Sequence, residues 1–166
     1  MEFTDRLYQT GKEHVSHDHV RMPTAVLGAL YSLSASQDPD VSMLTFDDNE
    51  QSRTWKALWL CGSHLIFVEA TAENPHWSSD GTGTDTLETS SASGWVRSLG
   101  DLRSIEIVDQ RTALGNFKEN WTYCQWVVKF GDIEVPLFQP SGEEGESKLD
   151  VFALALRKKW MGVVTE

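Results

Sequence analysis

The sequence predicts a mainly β domain: a small β-barrel covered at one end by a C-terminal α-helix, with a helical segment at the N-terminus. Two runs of alternating apolar and polar residues, 121–130 and 133–138, flank Gly131 and Asp132, a pattern typical of a tight β-hairpin. Residues 148–160 then have the spacing of an amphipathic helix. Strands that finish in a single C-terminal helix indicate a small β-barrel that this helix closes.

The closing helix is the best specified element of the sequence. Ser147 is a suitable N-cap, and Asp150 three residues later resembles a capping box. The cations at 157–159 fall in the predicted last turn, where positive charge stabilises the helix dipole, and Gly162 is a typical stop signal. The apolar residues on one stripe, expected to face the core, are Leu149, Phe152, Ala153, Leu156 and Trp160.

Composition limits the possible functions. The chain has 166 residues, of which 40% are hydrophobic, so one folded domain with its own core is expected. The formal net charge of −11 disfavours nucleic acid and anionic membrane surfaces, because both are bound through cations. An acidic balance is compatible with simple solubility or with a basic protein partner.

The cysteines and the N-terminus predict where the protein resides. Cys61 and Cys124 are far apart and follow no metal-binding spacing, so we expect reduced thiols and no cofactor. The N-terminus lacks the basic-then-apolar layout of a secretion signal, and the longest apolar run, 25–33, is shorter than a membrane span. The sequence therefore predicts a cytoplasmic protein without membrane insertion.

Residues 1–36 predict a helical extension that packs on the body of the protein. Residues 5–13 could form one or two helical turns. Pro23 suits the first position of a helix, and apolar residues over 24–35 recur at roughly helical spacing. A buried strand remains the alternative for 24–35, because periodicity alone does not settle a short apolar run.

Residues 37–166 are predicted to form the barrel. Apolar runs at 55–60 and 65–70 flank a turn that contains Gly62, which indicates another hairpin. Residues 73–93 are rich in Ser, Thr and Gly, contain acidic residues and lack Lys and Arg. This composition predicts a long flexible loop within the domain.

Two further signals concern the later strands. A turn at 99–102 leads into an alternating strand at 103–108. Pro136 cannot donate to a strand ladder, so the strand that contains it is expected to end there or to lie at a sheet edge.

The order of these elements resembles a pleckstrin-homology-like (PH-like) domain, including its bacterial versions. The stretch WVRSLGDLRSIEIVD is similar to the family's segment leading into an L-x-x-I strand, and VFALALRKKW is similar to its capping helix. The resemblance covers about residues 41–160. It implies two nearly orthogonal antiparallel sheets of about seven strands with a C-terminal helix over one open end.

The resemblance does not extend to the family's phosphoinositide site. In the family, basic residues cluster around the loop between the first two strands. Here that loop is 61–64, and Lys56 is the one basic residue near it. Phosphoinositide binding is therefore not expected.

Two groups of residues are candidate sites. His14 and His17 have helical spacing and could ligate a metal ion, but a solvated polar segment explains them better. Trp77 lies in the acidic loop, where an exposed indole would suit a protein partner; the alternative is that the loop base packs on the barrel. The predicted partner-binding residues are Trp77, Asp80, Asp85 and Glu88.

The sequence predicts a non-catalytic module that binds a protein or peptide through an acidic surface or a sheet edge. No nucleophile elbow or phosphate-binding loop is present, so an enzyme is not expected. The alternative is a carrier of a small apolar ligand in the barrel interior.

Overall fold

The chain divides into two compact units, Met1–Arg97 and Ser98–Glu166. The computed structural model describes residues 16–17, 20–78, 91–114, 120–131, 133–137 and 143–164. Within these ranges each unit contains one antiparallel sheet of three or more strands and one helix longer than two turns.

The first unit is built on a four-stranded sheet in the order β3-β4-β5-β6. Its elements are β1 (Ser16–His17), β2 (Val20–Arg21), α1 (Thr24–Leu33), β3 (Val41–Asp48), β4 (Arg53–Cys61), β5 (His64–Ala72) and β6 (Ser91–Ser98). The hairpin predicted around Gly62 is confirmed as β4–β5, in register from Cys61 opposite His64 to Arg53 opposite Ala72. Gly62 has a φ of +54°, which glycine adopts without strain.

Helix α1 packs against one face of this sheet. Every second residue of β4, from Trp55 to Cys61, shares that face because side chains alternate along a strand. The buried residues of this core are Met22, Val26, Leu27, Leu30, Tyr31, Leu44, Trp55, Ala57, Trp59, Cys61, Ile66, Val68, Ala70, Ala72 and Trp77.

The helix predicted at 24–35 is present, and it ends at Leu33. Ala35 and Ser36 have φ of 51° and 64°, so the chain turns in the left-handed region just after the helix. The amide of Ser36 donates to the carbonyl of Tyr31 at 2.7 Å, which satisfies a carbonyl of the last turn.

The second unit holds a three-stranded sheet in the order β7-β8-β9, followed by a long helix. A short 3-10 turn (Leu99–Asp101) leads into β7 (Leu102–Leu114), and β8 (Asn120–Phe130), β9 (Ile133–Pro136) and α2 (Glu143–Val164) follow. The predicted turn before β7 and the β8–β9 hairpin are confirmed. Pro136 ends β9, and β9 is an edge strand, as predicted.

Helix α2 is longer at both ends than the predicted helix at 148–160. It begins at Glu143, so Ser147 lies inside it rather than at its N-cap, and Gly162 does not stop it. A glycine costs only about 1 kcal/mol in a helix, which is too little to end one whose following residue, Val163, is half-buried. The buried stripe of Leu149, Phe152, Ala153 and Leu156 is confirmed, and Trp160 is half-buried.

The mainly β fold with a C-terminal helix is confirmed. The described strands form three antiparallel sheets, of two (β1-β2), four and three strands, and none of these sheets closes on itself as a barrel. Strand β6 begins at Ser91, so the predicted loop at 73–93 ends earlier than expected. Residues 5–13 and 79–90 lie outside the described residues.

Candidate functional site

Strand β6 forms one outer edge of the first sheet. It pairs with β5, and no strand pairs with its other side among the described residues. Residues 91–94 and Val96 are exposed. A strand in this position presents a row of backbone N–H and C=O groups that another chain can bond.

Close packing holds β6 against the rest of the unit. The ring of Trp95 stacks on that of Phe67 in β5, with centroids 5.6 Å apart. On the other face, a Cβ added to Gly94 would lie 2.8 Å from the carbonyl oxygen of Phe67 and 3.0 Å from Cδ1 of Leu33. Helix α1 therefore approaches β6 over a position that only glycine fits.

A pocket of about 270 Å³ opens beside β6 at the end of α1. We call it the α1–β6 pocket. It is formed by the last turn of the helix, the end of the β4–β5 hairpin and the exposed Val96. Its lining residues are Leu33, Ser34, Ala35, Gln37, Cys61, His64, Ile66 and Val96.

Hydrogen bonds shape the wall that follows the helix. The hydroxyl of Ser34 donates to the carbonyl of Gln37 at 2.8 Å, and the hydroxyl of Tyr31 donates to Asp38 at 2.7 Å. Asp40 accepts from the amide of Gly62 at 2.8 Å, which joins this segment to the hairpin. The pocket is thus bounded by backbone that is fixed by its own polar contacts.

Cys61 and His64 lie opposite each other at the end of the hairpin and both line the α1–β6 pocket. The thiol of Cys61 is buried, and the imidazole of His64 is exposed. In the part of the chain that the structure describes, no three His, Cys, Asp or Glu residues are placed to hold a metal ion. His14 lies outside the described residues, and His17 is described only through its backbone in β1.

Trp77 does not present an exposed indole. It is 3% exposed and belongs to the core between α1 and the sheet, which corrects the prediction of an exposed anchor. Its carbonyl accepts the indole N–H of Trp55 at 2.9 Å, and Arg53 Nη1 lies 3.5 Å from the same oxygen. The loop base therefore packs on the sheet, the alternative considered for this residue.

The three acidic residues predicted as partner contacts, Asp80, Asp85 and Glu88, lie outside the described residues. Sequence reasoning missed β6 as an edge, because the Ser- and Ala-rich start of the strand has the composition of a loop. The one local signal was the Gly-Trp-Val sequence at 94–96, in which a glycine precedes two residue types common in strands.

The second unit carries an ion triplet on its sheet. Lys129 Nζ lies 3.0 Å from Glu106 and 3.1 Å from Glu134. The hydroxyl of Ser104 donates to Glu106 at 2.6 Å, and this bond, followed by that from Lys129, lowers the pKa of Glu106. The same carboxylates, Glu106 first, raise the pKa of Lys129. All three side chains are accessible to water, so we interpret the triplet as a surface ion-pair network that contributes little to stability.

Comparison of the chain with protein-family models, curated proteins and solved structures gives no match. None of the helices in the described ranges combines the length and the apolar character needed to cross a bilayer. The function is therefore inferred from the residues of the chain itself.

Proposed function

We propose that this chain is a non-catalytic binding module that captures an extended segment of a partner protein at the outer edge of β6. The observation that carries the proposal is an exposed edge strand beside an apolar pocket. An extended peptide can add a strand to such an edge through main-chain hydrogen bonds, and pockets beside the edge then select its side chains.

Weak edge protection favours β6 over the other edges of the two larger sheets. Edge strands are usually protected by charge, proline, short length or bulges. Strand β9 is four residues long and ends in Pro136, β3 carries Asp47 and Asp48, and β7 has two register shifts. Strand β6 has eight residues and no proline, and its one charged residue is Arg97, next to its last position.

The size of the α1–β6 pocket favours a peptide over a small-molecule cargo. Ligand sites for drug-sized molecules span roughly 300–1,000 Å³. A volume of about 270 Å³ suits one aliphatic or aromatic side chain of a bound peptide. Val96 on β6 and Leu33 on α1 both line it, so a side chain projecting from a strand added to β6 could reach it.

Charge indicates the kind of peptide. The chain carries a net charge of −11, and residues 79–90, just before β6 in sequence, include three acidic residues and no Lys or Arg. A partner segment with basic residues flanking an apolar one is therefore favoured, through steering as well as contact.

The PH-like resemblance remains part of the proposal. Four antiparallel strands in one sheet, three in the next and a C-terminal helix stand in the order that the resemblance implies. A binding role that uses a sheet edge does not need the basic phosphoinositide loop, which this chain lacks.

A random heptapeptide library displayed on phage tests the proposal, with enriched peptides then measured by calorimetry. We expect peptides with basic residues around one apolar residue, and a loss of affinity of at least ~10-fold in Val96→Lys. The matched control is Val108→Lys, which changes an exposed valine on β7 of the other unit and should leave affinity unchanged.

Two outcomes would overturn the proposal. One is that no peptide is enriched, while a small apolar probe such as hexanol shifts the NMR signals of Leu33 and Ile66; the carrier function would then replace it. The other is that peptides bind with the same affinity to the wild-type chain and to Val96→Lys.

A further inference from the structure

Helix α2 is apolar on two faces. One face buries Leu149, Phe152 and Leu156. On the opposite side Val151 is 57% exposed and Leu154 is 68% exposed, and Met161 is exposed in line with them. Large aliphatic side chains in a row on the outside of a helix are typical of a surface that meets another protein.

The exposed residues have the spacing of a coiled-coil seam. Positions 151, 154, 158 and 161 are separated by three, four and three residues, so they lie along one line of the helix. Lys158 interrupts the apolar line, which fits a weak pairing with a defined register rather than a permanent one. We call positions 151, 154, 158 and 161 the α2 outer stripe.

We propose that the α2 outer stripe pairs with the same stripe of a second copy, with the two helices antiparallel. Charge complementarity points to this occupant. Asp150 and Arg157 lie on the same flank of the stripe, seven residues apart, and both are exposed. In an antiparallel pair the same flanks face each other, so each Asp150 meets the Arg157 of the other copy when the two-fold axis passes near Leu154.

A parallel pair would not gain these contacts. There the flank that carries Asp150 and Arg157 faces the opposite flank of the second helix, where Ala155 and Gly162 stand. The Asp150–Arg157 pairs therefore favour the antiparallel arrangement, as flanking charges do in designed coiled coils.

The dimer is expected to be weak. Helix α2 has 22 residues, and its outer stripe offers three large apolar side chains per copy. Such a contact is smaller than standard stable interfaces, so we expect a dissociation constant on the order of 10–100 μM. The pairing uses residues of the second unit alone and does not rest on peptide binding at β6.

Sedimentation velocity of the full chain over a concentration series, at constant physiological salt, tests the pairing. We expect a concentration-dependent shift from monomer to dimer that Leu154→Glu abolishes. Val108→Glu, a matched change of an exposed aliphatic residue outside the helix, should leave the shift unchanged.

A charge swap tests the orientation. Asp150→Arg and Arg157→Asp should each weaken the dimer several-fold, and the double variant should regain it, because the two charges exchange places across the seam. Circular dichroism and thermal unfolding show whether each variant is folded. A wild-type chain that stays monomeric at ~1 mM, a dimer that survives Leu154→Glu, or a double variant no better than either single one would overturn the proposal.

Discussion

Two adjacent aspartates of β3 should differ sharply in what they contribute to stability. Asp48 forms a two-pronged ion pair with Arg53, at 2.6 Å to Nε and 2.8 Å to Nη2. Asp47 pairs with Lys56 at 2.8 Å. The side chains of Arg53 and Asp48 are 8% and 42% exposed, whereas those of Lys56 and Asp47 are 31% and 67% exposed.

The burial of Arg53 determines how much stability Asp48→Ala should lose. Its guanidinium lies 4.3 Å from the ring centroid of Phe46, and it has little access to water. Removing the partner of a fully buried charge costs about 3–5 kcal/mol, and the partial exposure of Asp48 lets water replace some of its contacts. We therefore expect Asp48→Ala to lower the free energy of unfolding by about 2 kcal/mol.

The control is Asp47→Ala on the same strand. Exposed ion pairs contribute about 0–1 kcal/mol, so this variant should stay close to wild type. A loss of about 2 kcal/mol corresponds to a fall of roughly 4–8 °C in melting temperature for a chain of this size, well above error.

The free energies are measured by urea unfolding, followed by circular dichroism and by tryptophan fluorescence. The two signals should change over the same range of urea concentration if unfolding is a single two-state transition. Equal losses for Asp48→Ala and Asp47→Ala would refute the reasoning. A second check is the double variant Arg53→Met/Asp48→Ala, which should be more stable than Asp48→Ala because it leaves no unpaired buried cation.

Three further predictions concern single side chains. Gly94→Ala should lower the free energy of unfolding in urea by about 1–3 kcal/mol, because the added Cβ would lie 2.8 Å from a backbone carbonyl oxygen. In the control Gly100→Ala the nearest atom is the Ser98 hydroxyl at 3.4 Å, so its free energy of unfolding should change by no more than about 0.5 kcal/mol. Equal effects of the two variants would contradict the close approach of β6. Trp55→Phe should lower the free energy of unfolding by about 1–3 kcal/mol more than Trp59→Phe. Both indoles are buried, but of the two only Trp55 Nε1 has a hydrogen-bond partner among the described residues. The reverse order would show that the bond to the Trp77 carbonyl is unimportant. Ser104→Ala should raise the pKa of Glu106 in an NMR titration, because the Ser104 hydroxyl is the main cause of its lowered pKa in the wild-type chain. In the wild type this carboxylate therefore stabilises the fold above its unfolded pKa and loses that effect as pH falls through its folded pKa. A pKa unchanged in Ser104→Ala would exclude the hydroxyl as the main cause.

Local patterns predicted the turns and much of the secondary structure. Gly62 and Gly131 both have positive φ, at +54° and +58°. Gly62 joins two strands that apolar runs predict, and Gly131 joins two strands that alternation predicts. Helix α1 and the buried stripe of α2 were also predicted. The ends of α2 were not: the helix runs past Ser147 and Gly162, and such local signals are worth only about 1 kcal/mol each.

The candidate site was harder to predict. Trp77 is part of the core, and its carbonyl contacts Trp55 and Arg53, which lie 22 and 24 residues earlier in the chain. The α1–β6 pocket likewise combines the end of a helix, the tip of a hairpin and an edge strand that are distant in sequence. No spacing rule relates such positions.

The sequence by itself determined where most of the longer strands and the two helices form, since alternation, turn residues and helical spacing act over a few neighbouring residues. Only the tertiary structure decided that the strands form separate open sheets, that Trp77 is core and that β6 is an edge beside a pocket. The physical reason is that edges, burial and pockets depend on which distant segments pair and pack, and many pairings share the same local pattern.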